Sequence, residues 1–530
     1  MFTSCKRLFG VVLMLALAIS FAVPASRASA NETNSWAIVF NQPNGLLANV
    51  DRIVANAGGT VTLRLPEIGA IGARSENPNF AASLAGNPLV KAVGPDVVMQ
   101  LIPGDQDLGA ADAENNGGQA SPPGPDPQPG TEPLYNQQWD KMRLNASASG
   151  SYAVQPGRRD VVVAVLDTGA DVLPVAHPDI APNLDAGRSR AFVDSATGEA
   201  LPAGDPNPAN WDDRHGHGSW CLSAVGAPIN GAGISGVAPN VTLVALKVLS
   251  DTGSGSYLAL ANALVYAGIN KFDVASMSLG GYLRHADHGQ TLVTIVQRAV
   301  EFARENGVTP IAALGNDNFD LSDGRFVQDF IETPGELPGV IGVAATGYYN
   351  EKSFYSNYGV GKTDVSAPGG NTRNYTGVPG SVVVPPPYRG LGRVLGAWST
   401  ENTGGVTTPQ REEECDPATG NCYMYAWVQG TSMATPNAAG VAALIISQYG
   451  DFKPDGSRKL HMPPTHVESI LQITANNQPC PEPNTVIAGA DFPVPTATCQ
   501  GETGYNNFYG KGIVDALKAV TLYENVGQSQ

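Results

Sequence analysis

Four residues of this chain have the types and settings that nucleophilic catalysis needs. Ser432 stands in Gln429-Gly430-Thr431-Ser432-Met433-Ala434-Thr435-Pro436, between an extended segment over 422–428 and a small-residue helix over 438–446. A serine at such a junction is held at a helix N-terminus. Unpaired backbone N–H groups and the helix dipole favour developing negative charge there. Taken alone, the stretch also reads as a capped helix, with Thr431 as the cap and Pro436 tolerated in the first turn. The serine therefore needs a base, an acid that orients the base, and an oxyanion donor.

Each is available. His217 lies in Asp212-Asp213-Arg214-His215-Gly216-His217-Gly218-Ser219, framed by glycines and followed by an apolar segment that predicts a helix. A histidine at a buried helix start can act as a general base. His215 is a rival base two residues away, whereas His177, His285, His288, His461 and His466 lack the glycine frame. Asp167 directly follows an apolar run and can orient a histidine across a crevice, with Asp171, Asp212 and Asp213 as competing carboxylates. Asn316 follows Ala312-Ala313-Leu314-Gly315. Its amide and the Ser432 backbone N–H can donate to an oxyanion. Singly, these are also a capping aspartate, a structural histidine and an asparagine turn; together they point to acyl transfer.

The elements that must position these groups read as α/β. Strands are predicted over 161–166, 241–248, 274–279, 309–314 and 340–345, with helices over 257–267 and 291–306. The fully apolar run 161–166 suits a strand inside a parallel sheet. This alternation predicts a doubly wound sheet with helices on both faces and active groups at strand C-terminal ends.

The front of the chain is organised differently. Lys6 and Arg7, an apolar run over 8–23, and Ala28-Ser29-Ala30 predict a secretory signal peptide, 1–30, cleaved after Ala30. Residues 31–103 read as a small α+β unit: strand 36–40, helix 46–57, strands 60–65 and 68–73, helix 79–85, strand 90–93 and segment 97–101. Residues 104–133 are a Gly- and Pro-rich linker, a natural place for proteolytic cutting. Residues 134–530 form the remaining domain. The net charge of −17, from 48 acidic and 31 basic side chains, argues against nonspecific nucleic-acid binding. No second apolar run follows the first, so no stable membrane insertion is expected. Cysteine spacing predicts Cys415–Cys422 and Cys480–Cys499 disulfides, in keeping with export, and leaves Cys221 free.

The motifs, taken in order, resemble those of the subtilisin-like serine proteases, the subtilase family. The matching pieces are Val165-Leu166-Asp167-Thr168-Gly169, Gly216-His217-Gly218-Ser219, Ala313-Leu314-Gly315-Asn316, Ser366-Ala367-Pro368-Gly369, Gly430 to Pro436, and Tyr509-Gly510-Lys511-Gly512-Ile513-Val514-Asp515-Ala516. The resemblance covers about 139–520. It implies a three-layer α/β/α fold with a mainly parallel sheet, and a serine endopeptidase with Asp167 as orienting acid, His217 as base, Ser432 as nucleophile and Asn316 as oxyanion donor. His215 falls outside the matching triplet and is set aside. Trp220 and Asn437 replace a histidine frequent at each matching position, which puts local packing in question. Cys221 falls where one branch of the family has a cysteine beneath the catalytic histidine.

The same resemblance makes 31–103 an inhibitor-type propeptide that assists folding and blocks the cleft. It implies peptide or protein substrates, a secreted monomer (extracellular, with the periplasm as the other destination), no cofactor for the chemistry, and structural calcium without assigned ligands. Substrate-binding segments are expected at 253–256, including Gly255, and at Ser278, Leu279 and Gly280. Ala312, Ala313 and Leu314 complete the wall of the P1 pocket. That lining suggests a broad enzyme with an apolar P1 preference; Glu332, Asp320 and Asp323 in the next loop would favour a basic residue instead. A specific processing protease and an inactive binding protein on the same fold are the alternatives.

Overall fold

The structure, a computed structural model, describes residues 34–101, 132–286, 289–373, 392–401, 410–452, 460–490 and 492–523. The predicted signal peptide and nearly all of the linker lie outside these residues. Glu132 and Pro133, read as linker, already belong to the larger unit: Glu132 is buried and accepts from the Gly231 N–H, and Leu134 N–H donates to the Gly233 carbonyl.

The small unit begins with β1 (Ser35–Phe40), β2 (Thr60–Leu65), β3 (Ala70–Arg74) and β4 (Val90–Pro95), paired antiparallel in the order β2-β3-β1-β4. Successive side chains of a strand face opposite ways, and here both faces are used. Ile38 and Phe40 pack with Ile53, Val54, Phe80 and Leu84 on the unit's own helices. Ala37 and Val39 join Leu258, Leu264 and Val296 of the larger unit. A strand covered on both faces reads as a continuous apolar run, as 36–40 does. The first helix covers Val50–Asn56, shorter than the 46–57 expected, and a 3-10 turn at Pro66–Ile68 delays the next strand to Ala70. Segment β5 (Val98–Gln100) leaves this sheet altogether.

In the larger unit, the central strand is β6 (Val162–Asp167), buried throughout. Around it lie β7 (Arg190–Val193), β8 (Ala200–Asp205), β9 (Thr242–Lys247), β11 (Val274–Met277), β13 (Thr309–Ala313), β15 (Ile341–Thr346) and β16 (Val365–Pro368). The order is β16-β15-β13-β11-β6-β9-β7-β8, parallel except for β8 at one edge. Val163 and Val165 face the layer holding the helices His217–Gly226 and Thr431–Tyr449. Val162, Ala164 and Leu166 face the layer holding Tyr257–Ile269 and Gly289–Glu305. This is the expected three-layer α/β/α arrangement around a mainly parallel sheet.

Short edges complete the frame. The edge strand β10 (Ser254–Ser256) pairs with β5, and β12 (Gly281–Arg284) pairs with β14 (Phe330–Thr333). The extended segment before Ser432 is β19 (Cys422–Val428), which sits between β17 (Val394–Trp398) and β18 (Arg411–Cys415) in a separate antiparallel sheet. Both expected disulfides, Cys415–Cys422 and Cys480–Cys499, are formed, and Cys221 is a buried free thiol.

Candidate active site

Three neighbouring parallel strands deliver the site from their C-terminal ends. β6 closes on Asp167, β11 leads into Ser278, and β13 leads through Leu314 and Gly315 to Asn316. Asp167 is fully buried, and its Oδ1 lies 2.8 Å from His217 Nδ1 while accepting from the Thr168 N–H at 2.7 Å. His217 opens its helix behind Gly216, whose φ of 105° is a left-handed conformation that suits glycine. A β-carbon there would also strike the Trp398 ring.

The loops carrying Asp167 and His217 are tied together by Asp213. Its Oδ1 accepts from Thr168 Oγ1 at 2.8 Å and from the N–H groups of His215 and Gly216 at 3.0 and 2.8 Å. Its Oδ2 accepts from the Ser219 N–H and hydroxyl at 2.8 and 2.7 Å. Burial alone would raise this carboxyl. The charge of Lys247 and the hydrogen bonds of Gly216 and Ser219 outweigh that and hold it below the ordinary range. The sequence leaves Asp213 as one of several competing carboxylates; its four-residue spacing from His217 is the only signal.

The other rivals separate cleanly. Burial pushes the Asp171 carboxyl up to about 8, helped by Asp213 and Asp212, and its Oδ2 accepts from the Thr400 N–H at 3.3 Å rather than from a histidine. Asp212 Oδ1 is occupied by the Val172 and Leu173 N–H groups. His215 is also buried, and burial drives its imidazole below the ordinary value.

Ser432 lies inside the first turn of the helix Thr431–Tyr449, which starts seven residues earlier than expected. Pro436 explains part of its setting. An α-helical N–H at position 436 would bond the carbonyl of 432, and proline has none. The Ser432 carbonyl instead accepts from Ser278 Oγ at 2.7 Å and Cys221 Sγ at 3.7 Å. The same thiol lies 3.8 Å from His217 Nδ1, so one buried side chain touches both residues. Burial, then Asp167, pushes that thiol well above its ordinary range and keeps it protonated. The Ser432 hydroxyl donates to the Ser278 carbonyl at 3.3 Å.

Asn316 is aimed by Thr431. Its Oδ1 accepts from the Thr431 N–H at 2.9 Å and the Thr431 hydroxyl at 2.8 Å. With Oδ1 committed, Nδ2 is the group of that side chain able to donate. The two replacements that put packing in question are both accommodated. Trp220 is fully buried with Nε1 donating to the Ala426 carbonyl, and Asn437 bridges Lys141 Nζ, at 2.8 Å, and the Pro368 carbonyl, at 3.0 Å.

The expected substrate segments converge here. Gly255 pairs with Met99 of β5, and Gly280 forms a bridge with Gln100. Ala312 and Ala313 are fully buried in β13. The side chains of Leu279 and Leu314 turn into hydrophobic clusters, Leu279 with Tyr257 and Leu283, Leu314 with Phe319 and Leu321. Asp320 and Asp323 are engaged by Ser322 and by Arg325. Glu332 is buried. Two groups of potential metal ligands occur among the described residues. One is Asp167, His217 and Cys221; the other is Glu413 with the half-cystines Cys415 and Cys422. Neither is the all-oxygen set that calcium takes.

A model of the subtilase family matches residues 158–512. The chain is 31% identical over 307 residues to the alkaline protease of Alkalihalobacillus alcalophilus, covering 58% of this chain and 59% of that protein. It is 32% identical over 291 residues to subtilisin E of Bacillus subtilis (strain 168), covering 55% and 56%. The chain thus spans somewhat over half the length of these relatives. Among solved structures, the epidermin leader peptide processing serine protease of Staphylococcus aureus superposes with a TM-score of 0.66 at 20% identity, covering 92% of this chain and 98% of that one. A protease of Pseudoalteromonas arctica gives 0.51 at 28% identity, covering 74% and 99%.

Proposed function

Because the chain belongs to the subtilase family, we propose that it is a serine endopeptidase in which Asp167, His217 and Ser432 form the triad and Asn316 the oxyanion donor. The observation that carries this reading is the 2.8 Å contact of Asp167 Oδ1 with His217 Nδ1, beside a serine at a helix start. Asp167 keeps the imidazole proton on Nδ1, leaving Nε2 as the base. For attack the Ser432 hydroxyl must turn from the Ser278 carbonyl, to which it donates at 3.3 Å, towards that nitrogen. Ser432 Oγ then attacks the scissile carbonyl as Nε2 takes its proton. The oxyanion accepts from Asn316 Nδ2 and the Ser432 N–H, and the imidazolium protonates the leaving amine. Water, activated by the same base, releases the acyl group. A fluorophosphonate probe is expected to add to Ser432, read by intact mass and peptide mapping. Ser432→Ala protein that still cut peptides would remove this mechanism.

The reading extends to 31–103 as an inhibitory propeptide. Its support is that β5 lies antiparallel on β10, with the Leu101 N–H donating to the Gly253 carbonyl at 2.7 Å. An extended peptide substrate would add to such an edge in the same way. Arg298 Nη1 holds the Phe40 and Ile68 carbonyls at 3.1 and 3.0 Å, and Arg74 pairs with Glu199. Autoprocessing then depends on Ser432. Wild-type protein should shorten from its N-terminus with time, and Ser432→Ala should stay full length. Secretion as a monomer through 1–30 and structural calcium belong to the same reading. Among the described residues no helix is long and apolar enough to cross a membrane. Chelation with EDTA is expected to lower the melting temperature without touching the acyl chemistry.

A further inference from the structure

Glu332 sits in β14 opposite Tyr282 of β12 and keeps 1% of its surface exposed. Neither carboxylate oxygen completes a hydrogen bond, although the backbone of Gly335, Glu336 and Gly281 approaches it. Its neighbour Glu336 is provided for: Lys362 Nζ pairs with it at 2.6 Å, and the Glu332 N–H donates to it at 2.6 Å. Two acidic side chains therefore stand together, and the lysine beside them is committed to Glu336.

The cradle of this carboxylate is built by the two segments that frame the candidate cleft. A β-carbon at Gly280 would overlap Glu332 Oε1, and one at Gly335 would overlap Oε2. Gly280 lies two residues past Ser278, whose Oγ holds the Ser432 carbonyl. The side of Gly335 that meets Glu332 also meets the Ala313 carbonyl and Leu314. Glu332 thus lies where the walls descending from β11 and β13 converge. Two residues of extended backbone span about 6–7 Å, which is about the reach of a lysine or arginine side chain.

We infer that Glu332 is the counter-charge for a basic side chain on the acyl side of the scissile bond, the P1 residue, so that cleavage follows arginine or lysine. This rests on the endopeptidase reading above. The apolar preference expected from the wall residues is displaced because the Leu279 and Leu314 side chains belong to hydrophobic clusters. What remains at the wall is glycine, alanine and backbone, with a carboxylate at the floor. A buried carboxylate without a partner is unfavourable. Alone, burial and then the neighbouring Glu336 hold the Glu332 carboxyl well above its ordinary range, as a neutral acid. A cationic P1 residue supplies the partner that lets it ionise, whereas a neutral one leaves the buried acid without that pairing, and sites of this kind discriminate strongly.

The test compares matched peptides that differ only at P1 (Arg, Lys, Gln, Met, Phe). Wild-type kcat/KM is expected to favour Arg and Lys over Met and Phe by at least about a hundredfold. Glu332→Gln should lose about a hundredfold on Arg while Met changes by less than about threefold. Fluorophosphonate titration of both proteins supplies active-site concentrations, so a folding defect is not read as a specificity change. A second arm needs no variant: a peptidyl-arginine chloromethyl ketone should inactivate wild type faster than its phenylalanine counterpart. A wild-type preference for Phe or Met, or an equal loss on Arg and Met in Glu332→Gln, overturns the inference and leaves the protease reading standing. A wild type that neither takes the fluorophosphonate at Ser432 nor cuts any peptide overturns the protease reading and this inference with it.

Discussion

Asp213 accepts the Thr168 hydroxyl at 2.8 Å, and this bond joins the loop that follows Asp167 to the loop that precedes His217. Asp167 and His217, the proposed acid and base, come from separate elements, fifty residues apart in sequence. Their relative placement depends on groups between them that take no part in proton transfer. The glycines on either side serve the same end. A β-carbon at Gly169 would overlap the Trp211 carbonyl, and one at Gly218 the Gly169 carbonyl.

Asp213→Ala should therefore cost both stability and rate. It leaves the Thr168 and Ser219 hydroxyls and three backbone N–H groups without their acceptor. The expected loss is about 3 kcal/mol or more in unfolding free energy, since a buried charged acceptor is removed from its donors. kcat should fall at least about tenfold while fluorophosphonate labelling of Ser432 slows in parallel. Urea unfolding and labelling rates check the two parts separately.

Asn316→Ala should lower kcat by about 10²–10³-fold with a small change in KM, as expected for a donor used in the transition state. The side chain also holds Thr431, so thermal unfolding should report a modest loss of stability. A normal kcat would count against Asn316 as the oxyanion donor.

Docking of the small unit should weaken as pH rises. Asp96 accepts the Ser256 hydroxyl at 2.6 Å across the contact between the two units. Burial raises its carboxyl from 3.8 to about 6, against the hydrogen bonds of Ser256 and Leu258. Undocked, the group ionises near its ordinary value. Between about pH 4 and 6 the docked form then holds a proton that the undocked form has lost, so docking is strongest below that window. The difference corresponds to about a hundredfold in affinity. After processing, the fraction of small unit co-eluting with the larger one at pH 4 and pH 7 measures it, and Asp96→Asn should flatten the dependence.

His177 should contribute an acid limb to stability. Its Nδ1 accepts from the Asp179 N–H at 3.1 Å, and its Nε2 faces the Met424 carbonyl at 3.3 Å. Burial lowers its imidazole from 6.5 to about 4, against the Met424 hydrogen bond. Between those values the unfolded chain binds a proton that the folded chain refuses. The stability is present above pH 6.5 and is lost as pH falls towards 4, by about 3 kcal/mol. The difference in unfolding free energy between wild type and His177→Gln, followed from pH 7 to pH 4, isolates it.

Much of this protein is legible in one dimension because its signals are local. The strand 161–166 is apolar at every position since helices cover both faces of its sheet. Asp167, His217, Asn316 and Ser432 stand at element ends beside glycines, and short motifs record them. The two cystine pairs follow from spacing. Three things were not legible, and each depends on a distant partner. Segment 97–101 reads as part of the small unit, yet β5 joins the larger unit, because backbone hydrogen bonds are made by any available edge. Asp213 is one of several loop carboxylates until five donors from three places in the chain meet it. Glu332 is one of several acidic residues that follow Asn316, along with Asp320 and Asp323. Only packing separates it from Asp320 and Asp323, by burying one carboxylate without a partner between two glycines and leaving the others to satisfied turns. Sequence thus picked out the side chains proposed to carry the chemistry. Tertiary structure decided which carboxyl groups are met by donors and which is buried without one, because desolvation and hydrogen-bond satisfaction depend on what lies across the cleft.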